Sequence, residues 1–548
     1  MKTLRQRQES DLAGRWPEQP TNLGVPEDPH EGRAHRGVSQ IARADSGPRT
    51  LRDALVHTAV WAGLLGCAGL LYPEKTGPPH DFTALKVTAL LAWGVGVFAW
   101  SIRCGYAVWV GWPLVLAGGL ALQYVEVTSP DVRQHDVEGH REYIEHLVSH
   151  GRLPEVQQGW ETWQPPLYYI VAALWRELFP VAWFGDPFRA VQFLAAVLYL
   201  ATLLAGLWMF RQTGLNHLEA AGALSLLALL PGHVFFAARI NNDVLLPFLG
   251  AGVVYATAQF LKPAFSGIGP LSTGRQSLSG VSFEVSHGTR WLWWLAVLCP
   301  ALLATKGSSL PLVGGALALV FWAERRRSGW RAGLWRAYCA GLPAGIWQLL
   351  WSVRTALQTG NPLYVNTTLL PDDLRVHAPV WRRLFSFDFS AFLGGAFYYD
   401  EPARQSWPTA LVISLLYGEY GMGDSLFRWE GCLRWGCLGV LLVMVAGAAV
   451  SPRAELKPLW MTCLVLAFCQ TLFAAIYAVQ FPFAGNQNMR FLAPALVSFA
   501  CLFGLGLGHF WQEGNWAGRG ALVVTLTAFL VGLADFYRCL LFWQNGRL

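Results

Sequence analysis

Between an apolar segment ending near Gln123 and another starting near Phe188, the chain carries Asp131, Asp136, Glu138, Glu142, Glu145, Glu155 and Glu161 together with four histidines. Carboxylates and imidazoles are costly beside hydrocarbon, so their concentration next to apolar sequence marks a functional site by default. Two chemistries suit these residue types. A carboxylate in a loop can accept a proton from an attacking nucleophile. Asp136, Glu138 and His140, at alternate positions, could instead hold a divalent ion through oxygen and imidazole ligands. A second acidic position, Asp243, stands in AARINNDVLLPF, where Arg239, Asn241 and Asn242 crowd the mouth of the same apolar run. Left unpaired there, such groups would be expensive. An Arg239–Asp243 ion pair at i,i+4 is one way to pair them. The cations that could cradle a phosphate are Lys306, Arg354, Arg404 and Arg490. Arginine is favoured because its planar fork binds two oxygens.

The elements that position these groups are those of a membrane protein. Of 548 residues, 53% are hydrophobic and only 14% charged, against about a quarter charged in soluble domains. Several apolar runs reach the ~17–25 residues that cross a bilayer. The formal charge of +6 sits in short basic clusters between apolar runs, which fits the positive-inside rule and not nucleic-acid binding. The ten cysteines lie mostly inside apolar segments without zinc-type spacing, as small core hydrophobes do. Residues 1–53, rich in Arg, Pro, Gly and Glu, predict a disordered basic cytoplasmic tail with no signal peptide.

The apolar runs predict an all-α polytopic bundle of about thirteen transmembrane helices, at 54–72, 84–102, 106–124, 188–210, 218–232, 244–262, 291–305, 309–324, 333–351, 432–450, 459–479, 491–511 and 521–542. Arg103, Arg211, the run Arg325–Arg327, Arg453 with Lys457, and Arg519 fall in alternate short loops, and placing these and the tail in the cytoplasm gives one threading. PPLYYIVAALWRELFP (165–180) is too short for a span and carries Arg176 and Glu177. It predicts a juxtamembrane helix on the outer surface, started by Pro165 and Pro166. Residues 125–187 then form one acidic outer loop, and 352–431 form a second large one. Loops of such length are usually functional. The Gly/Ser-rich 263–290 stretch predicts a flexible cytoplasmic connector.

With this threading, HDVEGH (135–140), GWETWQPPLYY (159–169), PGHVFFAARINNDVL (231–245), TKGSSL (305–310), TGNPLY (359–364) and NQNMRFLAP (486–494) together resemble the GT-C superfamily of integral-membrane glycosyltransferases. That superfamily includes protein O-mannosyltransferases, aminoarabinose lipid A transferases and oligosaccharyltransferases. The Asp-Glu pair of the mannosyltransferases stands here as Asp136-Val137-Glu138, and the WWDYG-type motif of oligosaccharyltransferases is absent. The resemblance covers about 106–511, with a catalytic membrane core at 106–351 and C-terminal helices at 432–548. The two leading spans (54–105) and the basic tail are additions to it.

The resemblance implies a sugar donor carried on a polyprenyl phosphate and a single inverting displacement at the outer face. Asp136 is then the candidate general base, with Glu138 and Asp243 as catalytic companions. The alternative for Asp136 is a cap on the following helix. Arg490, Lys306 and Arg354 are the candidate phosphate ligands. Arg490 leads because it follows a polar run and opens a helix whose N-terminus favours anions, although interfacial snorkelling would look the same. His140, Glu161, Asn242, Tyr168 and Glu419 are candidate substrate contacts. No cofactor is required, and a divalent ion on Asp136, Glu138 and Asp243 stays open, since some relatives use a metal and others do not. The acceptor is protein, lipid or glycan. The rival class is a transporter or lipid-linked sugar flippase, which would place charges at mid-membrane and carry inverted repeats. Here the charges gather at one face.

Overall fold

The computed structural model describes residues 81–131, 136–179, 186–265, 287–365, 372–418 and 428–543. Every predicted span from 84–102 onward is helical, and among the described residues β-pairing is limited to an isolated bridge between Arg375 and Phe483. The chain is an all-α polytopic membrane protein. The span expected at 54–72 and the tail lie outside the described residues.

Of the thirteen spans expected, the twelve that fall on described residues are all represented by helices. Eight described helices are long and apolar enough to cross a membrane, or nine if one bent pair forms a single span. That pair is His217–Leu229 and Pro231–Ala238, which meet at 59°. The break follows from Pro231, which cannot continue the ladder of the preceding turn. Helices at Asp81–Arg103, His287–Thr305 and Trp330–Thr359 occupy predicted positions without meeting that standard. In the last, Arg331, Arg336 and Arg354 dilute the apolar sequence.

The helix predicted on the outer surface forms at Leu167–Leu178, directly after Pro165 and Pro166. The loop before it folds a second helix, Val137–His150, which buries Val137, His140, Tyr143 and Ile144. These two helices pack on each other, and Leu167–Leu178 packs in turn on the Pro187–Thr213 span. Close backbone approach sets the core. A Cβ on Gly250 would lie 2.0 Å from the Pro494 carbonyl oxygen, so glycine alone lets the Asn242–Phe265 span touch the segment that carries Arg490. Small residues at such crossings substitute for the hydrophobic drive that lipid does not supply.

Candidate active site

Asp136 sits in a left-handed backbone turn, φ 56° and ψ 18°, immediately before the Val137–His150 helix. Among the described residues it is the only non-glycine with positive φ. Aspartate tolerates this region better than most residues, yet it remains strained and is characteristic of functional sites. Its side chain makes no helix-capping hydrogen bond. Instead, Trp160 Nε1 donates to Asp136 Oδ1 at 2.9 Å, and Arg490 Nη1 lies 3.9 Å from Oδ2. The carboxylate is therefore aimed across the site and not back at its own helix.

Gly139, one turn into the helix, seats directly on the Trp160–Glu161 segment: a Cβ there would stand 3.0 Å from Glu161 Cγ and from Trp160 Cβ. Glu161 is buried. Burial, and secondarily the Asp136 charge, push its carboxyl up to about 8, against the opposing pull of Lys306, Arg490 and Gln164. It is thus a neutral acid at pH 7. Gln164 Nε2 donates to Glu161 Oε2, and Asn242 Nδ2 donates to Gln164 Oε1. Asn242 Nδ2 also donates to the Thr305 carbonyl at 3.2 Å. This chain of amides ties the acidic loop to the Asn242–Phe265 span and the His287–Thr305 helix.

Asp243 is fully buried and accepts from Lys306 Nζ at 2.7 Å. The expected i,i+4 pairing with Arg239 does not form, because Arg239 and Asn241 have extended backbone, so no helical turn joins residue 239 to 243. His140 is also buried, with Nδ1 2.8 Å from the Tyr169 hydroxyl oxygen. Burial first, then Lys306 and Arg490, hold its imidazole well below the usual value, so it stays neutral.

Arg490 follows the turn at Ala484–Gln487 and the cap residue Asn488, whose Oδ1 accepts from the Arg490 backbone N–H at 2.9 Å. Its guanidinium reaches toward Asp136 and acts electrostatically on Glu161, His140, Tyr398 and Tyr399. The Tyr398 hydroxyl donates to the Ala484 carbonyl, which pins the segment that carries Tyr398 and Tyr399 to that same turn. Burial pushes the Tyr399 phenol up to about 12, so it remains a hydrogen-bond donor. Asn241 Oδ1, Asn242 Oδ1 and Arg490 Nε are buried with no hydrogen-bond partner among the described residues. Buried polar atoms of this kind suit a hydroxyl-rich ligand.

Some predicted site residues stand elsewhere. Glu138 is exposed on the first turn of its helix. Tyr168 is buried against Tyr169, its hydroxyl without a hydrogen-bond partner among the described residues. Arg354 donates to the Pro154 carbonyl and lies over Trp351, which fastens the loop to the Trp330–Thr359 helix. Arg404 likewise donates to the Asp373 carbonyl, at 2.7 Å. Glu419 lies outside the described residues. Asp136, Glu138 and Asp243 are not gathered as a ligand set: Glu138 faces out, Asp243 is paired with Lys306, and no group of three His, Cys, Asp or Glu among the described residues could hold a metal ion. Gln164, Tyr169, Tyr398 and Tyr399 join the site unexpectedly, and Trp160, which as a neighbour of Glu161 is expected to stack on a sugar face, instead donates to Asp136. Adjacency to Glu161 was the available signal for Trp160 and Gln164; nothing local marked the tyrosines.

No protein-family model and no curated protein matches the chain. Among solved structures, the apo crystal structure of the Archaeoglobus fulgidus oligosaccharyltransferase is similar at 13% identity and a TM-score of 0.40. The archaeal oligosaccharyltransferase AglB from the same organism, in complex with an inhibitory peptide and a dolichol-phosphate, is similar at 10% identity and 0.39. Each likeness covers 80% of this chain and 56% of the other, so the chain spans little more than half the length of these structures.

Proposed function

We propose that the protein is a membrane glycosyltransferase that moves a sugar from a polyprenyl-phosphate donor to an acceptor hydroxyl or amide, by a single inverting displacement. The observation that carries this reading is the Asp136 carboxylate, oriented by Trp160 and facing Arg490, at one end of a bundle of apolar spans. The resemblance of HDVEGH and PGHVFFAARINNDVL to the GT-C superfamily supports it.

In this mechanism Asp136 takes the acceptor proton as the acceptor attacks the anomeric carbon, and the bond from that carbon to the phosphate oxygen breaks with its electron pair leaving on the phosphate. Arg490 and Lys306 stabilise the charge that develops there, an effect that is large where water is excluded. Asp243 holds Lys306 in place at 2.7 Å. Glu161, neutral at pH 7, can donate a hydrogen bond to the sugar or the leaving oxygen, and Asn241 and Asn242 offer carbonyl oxygens to sugar hydroxyls. With Glu161 protonated and His140 neutral, Asp136 and Asp243 balance Arg490 and Lys306. No step is routed through a metal ion.

We infer sidedness from the Leu310–Ser328 helix. Lys306 lies just before its start and Arg325–Arg327 lie in its last turn, separated by roughly 30 Å at 1.5 Å per residue. By the positive-inside rule the arginines are cytoplasmic and the site is extracytoplasmic.

The test is transfer by the purified protein from labelled polyprenyl-phosphate sugars, with the anomeric configuration of the product read by NMR. An inverted product is expected. A protein that carries lipid-linked sugar across vesicles while leaving the glycosyl–phosphate bond intact belongs to the transport class instead.

A further inference from the structure

We propose that residues 375–389 form an interfacial anchor that lies on the lipid headgroups at the polar end of the bundle and engages anionic phospholipid. The inference is independent of the transfer activity. The short helix Val380–Phe385 and its flanks pack on the end of the Ala454–Gln480 span. Arg383 Nη2 donates to the Val479 carbonyl at 3.5 Å, and the Val376 N–H donates to the Pro482 carbonyl at 2.7 Å. Arg375 and Phe483 form an antiparallel bridge. Val479 and Gln480 end a 27-residue apolar helix, so this segment sits at the height where hydrocarbon gives way to headgroups.

Its other face is apolar and exposed: Val380, Trp381, Phe385 and Phe389 are 49%, 68%, 83% and 57% exposed. Tryptophan and phenylalanine interleaved with arginine are the composition of helices that lie in the interface plane. The exposed cations are Arg375 and Arg382. Against them stand Asp373, exposed, and Asp388, whose carboxylate already accepts from the Ala391 N–H at 2.9 Å and from Ser390 Oγ at 2.6 Å. Beside the helix is a cavity of about 320 Å³ bounded by Arg382, Asp388, Phe389 and Ser406, within the size range of small-ligand sites; its one carboxylate is the already hydrogen-bonded Asp388. A phosphodiester headgroup fits this chemistry, with Arg382 on the phosphate and the aromatic rings among the acyl carbons. The same loop continues to Tyr398 and Tyr399, so an anchored segment steadies the tyrosines that face Arg490.

The experiment places a benzophenone amino acid at position 385 of the full chain in nanodiscs of phosphatidylcholine with a minor fraction of phosphatidylglycerol. After irradiation, adducts are read by mass spectrometry. Lipid adducts are expected, with phosphatidylglycerol enriched roughly fivefold over its share of the bilayer, since one basic residue near an anionic surface contributes about that factor. In Arg375→Gln/Arg382→Gln the enrichment is lost while adducts to phosphatidylcholine persist, which also shows that the segment still sits in the interface. Adducts to protein alone would overturn the anchor. Phosphatidylglycerol adducts at its mole fraction would overturn the anionic site.

Discussion

Trp160 and Asp136 meet at one oxygen: the indole N–H donates to Oδ1 at 2.9 Å and leaves Oδ2 toward Arg490 at 3.9 Å. A hydrogen bond to a charged group is short, directional and stronger than one between neutral groups. It makes the strained turn at Asp136 intelligible, because the turn and the indole together aim one carboxylate edge across the site.

Trp160→Phe keeps an aromatic ring and removes the donor. A hydrogen bond to a charged group is worth about 1.5–3 kcal/mol, so kcat should fall roughly tenfold or more while the KM for the donor lipid changes little. A variant that loses only KM, with kcat intact, would make Trp160 a substrate contact and not a residue that positions the base.

Asp136→Asn should preserve expression and thermal unfolding, since asparagine also tolerates the left-handed region. Transfer should drop by about 10²–10⁴, the usual contribution of a positioned base. Near-normal transfer by this variant would remove Asp136 from the reaction.

Arg490→Ala should raise the KM for the polyprenyl-phosphate donor more than for the acceptor, with Arg490→Lys recovering part of the loss because lysine keeps the charge without the fork. The opposite ranking would assign Arg490 to the acceptor.

Glu161 carries a proton in the folded chain up to about pH 8, whereas an unfolded glutamate loses it near pH 4.5. The folded state therefore binds more protons between those values, and its stability declines as pH rises through that window. Glu161→Gln should flatten this decline: equal unfolding temperatures at about pH 4.5, and a variant more stable by a few kcal/mol near pH 9, an order-of-magnitude figure at about 1.36 kcal/mol per pH unit. Parallel curves in a thermal scan would show that Glu161 ionises normally.

Cysteines introduced at exposed Glu138 and Arg325 should react with a membrane-impermeant maleimide from opposite sides of sealed vesicles, measured against the unsubstituted chain. Labelling of both from one side would overturn the threading.

Much of the fold was legible because its signals are local. Apolar runs of bilayer length, Pro165-Pro166 before a short amphipathic helix, and arginines recurring in alternate loops all report backbone segments through their own composition. The acidic loop was legible for the same reason, since charge beside hydrocarbon is visible in one dimension. The bend at Pro231 was not legible in this way, since it shows only once the helices are built.

The sequence by itself determined a helical membrane protein with Asp136, Asp243, Lys306 and Arg490 near the ends of its apolar runs. Only the tertiary structure decided who pairs with whom. Asp243 takes Lys306 and not Arg239, because extended backbone at 239–241 replaces the helical turn that sequence spacing assumed. Gly250 lets the spans that carry Asp243 and Arg490 touch, and Trp160, seated on Gly139, aims the Asp136 carboxylate across the site toward Arg490. Such partnerships depend on how closely backbones approach one another, which is a property of packed surfaces and not of spacing along the chain.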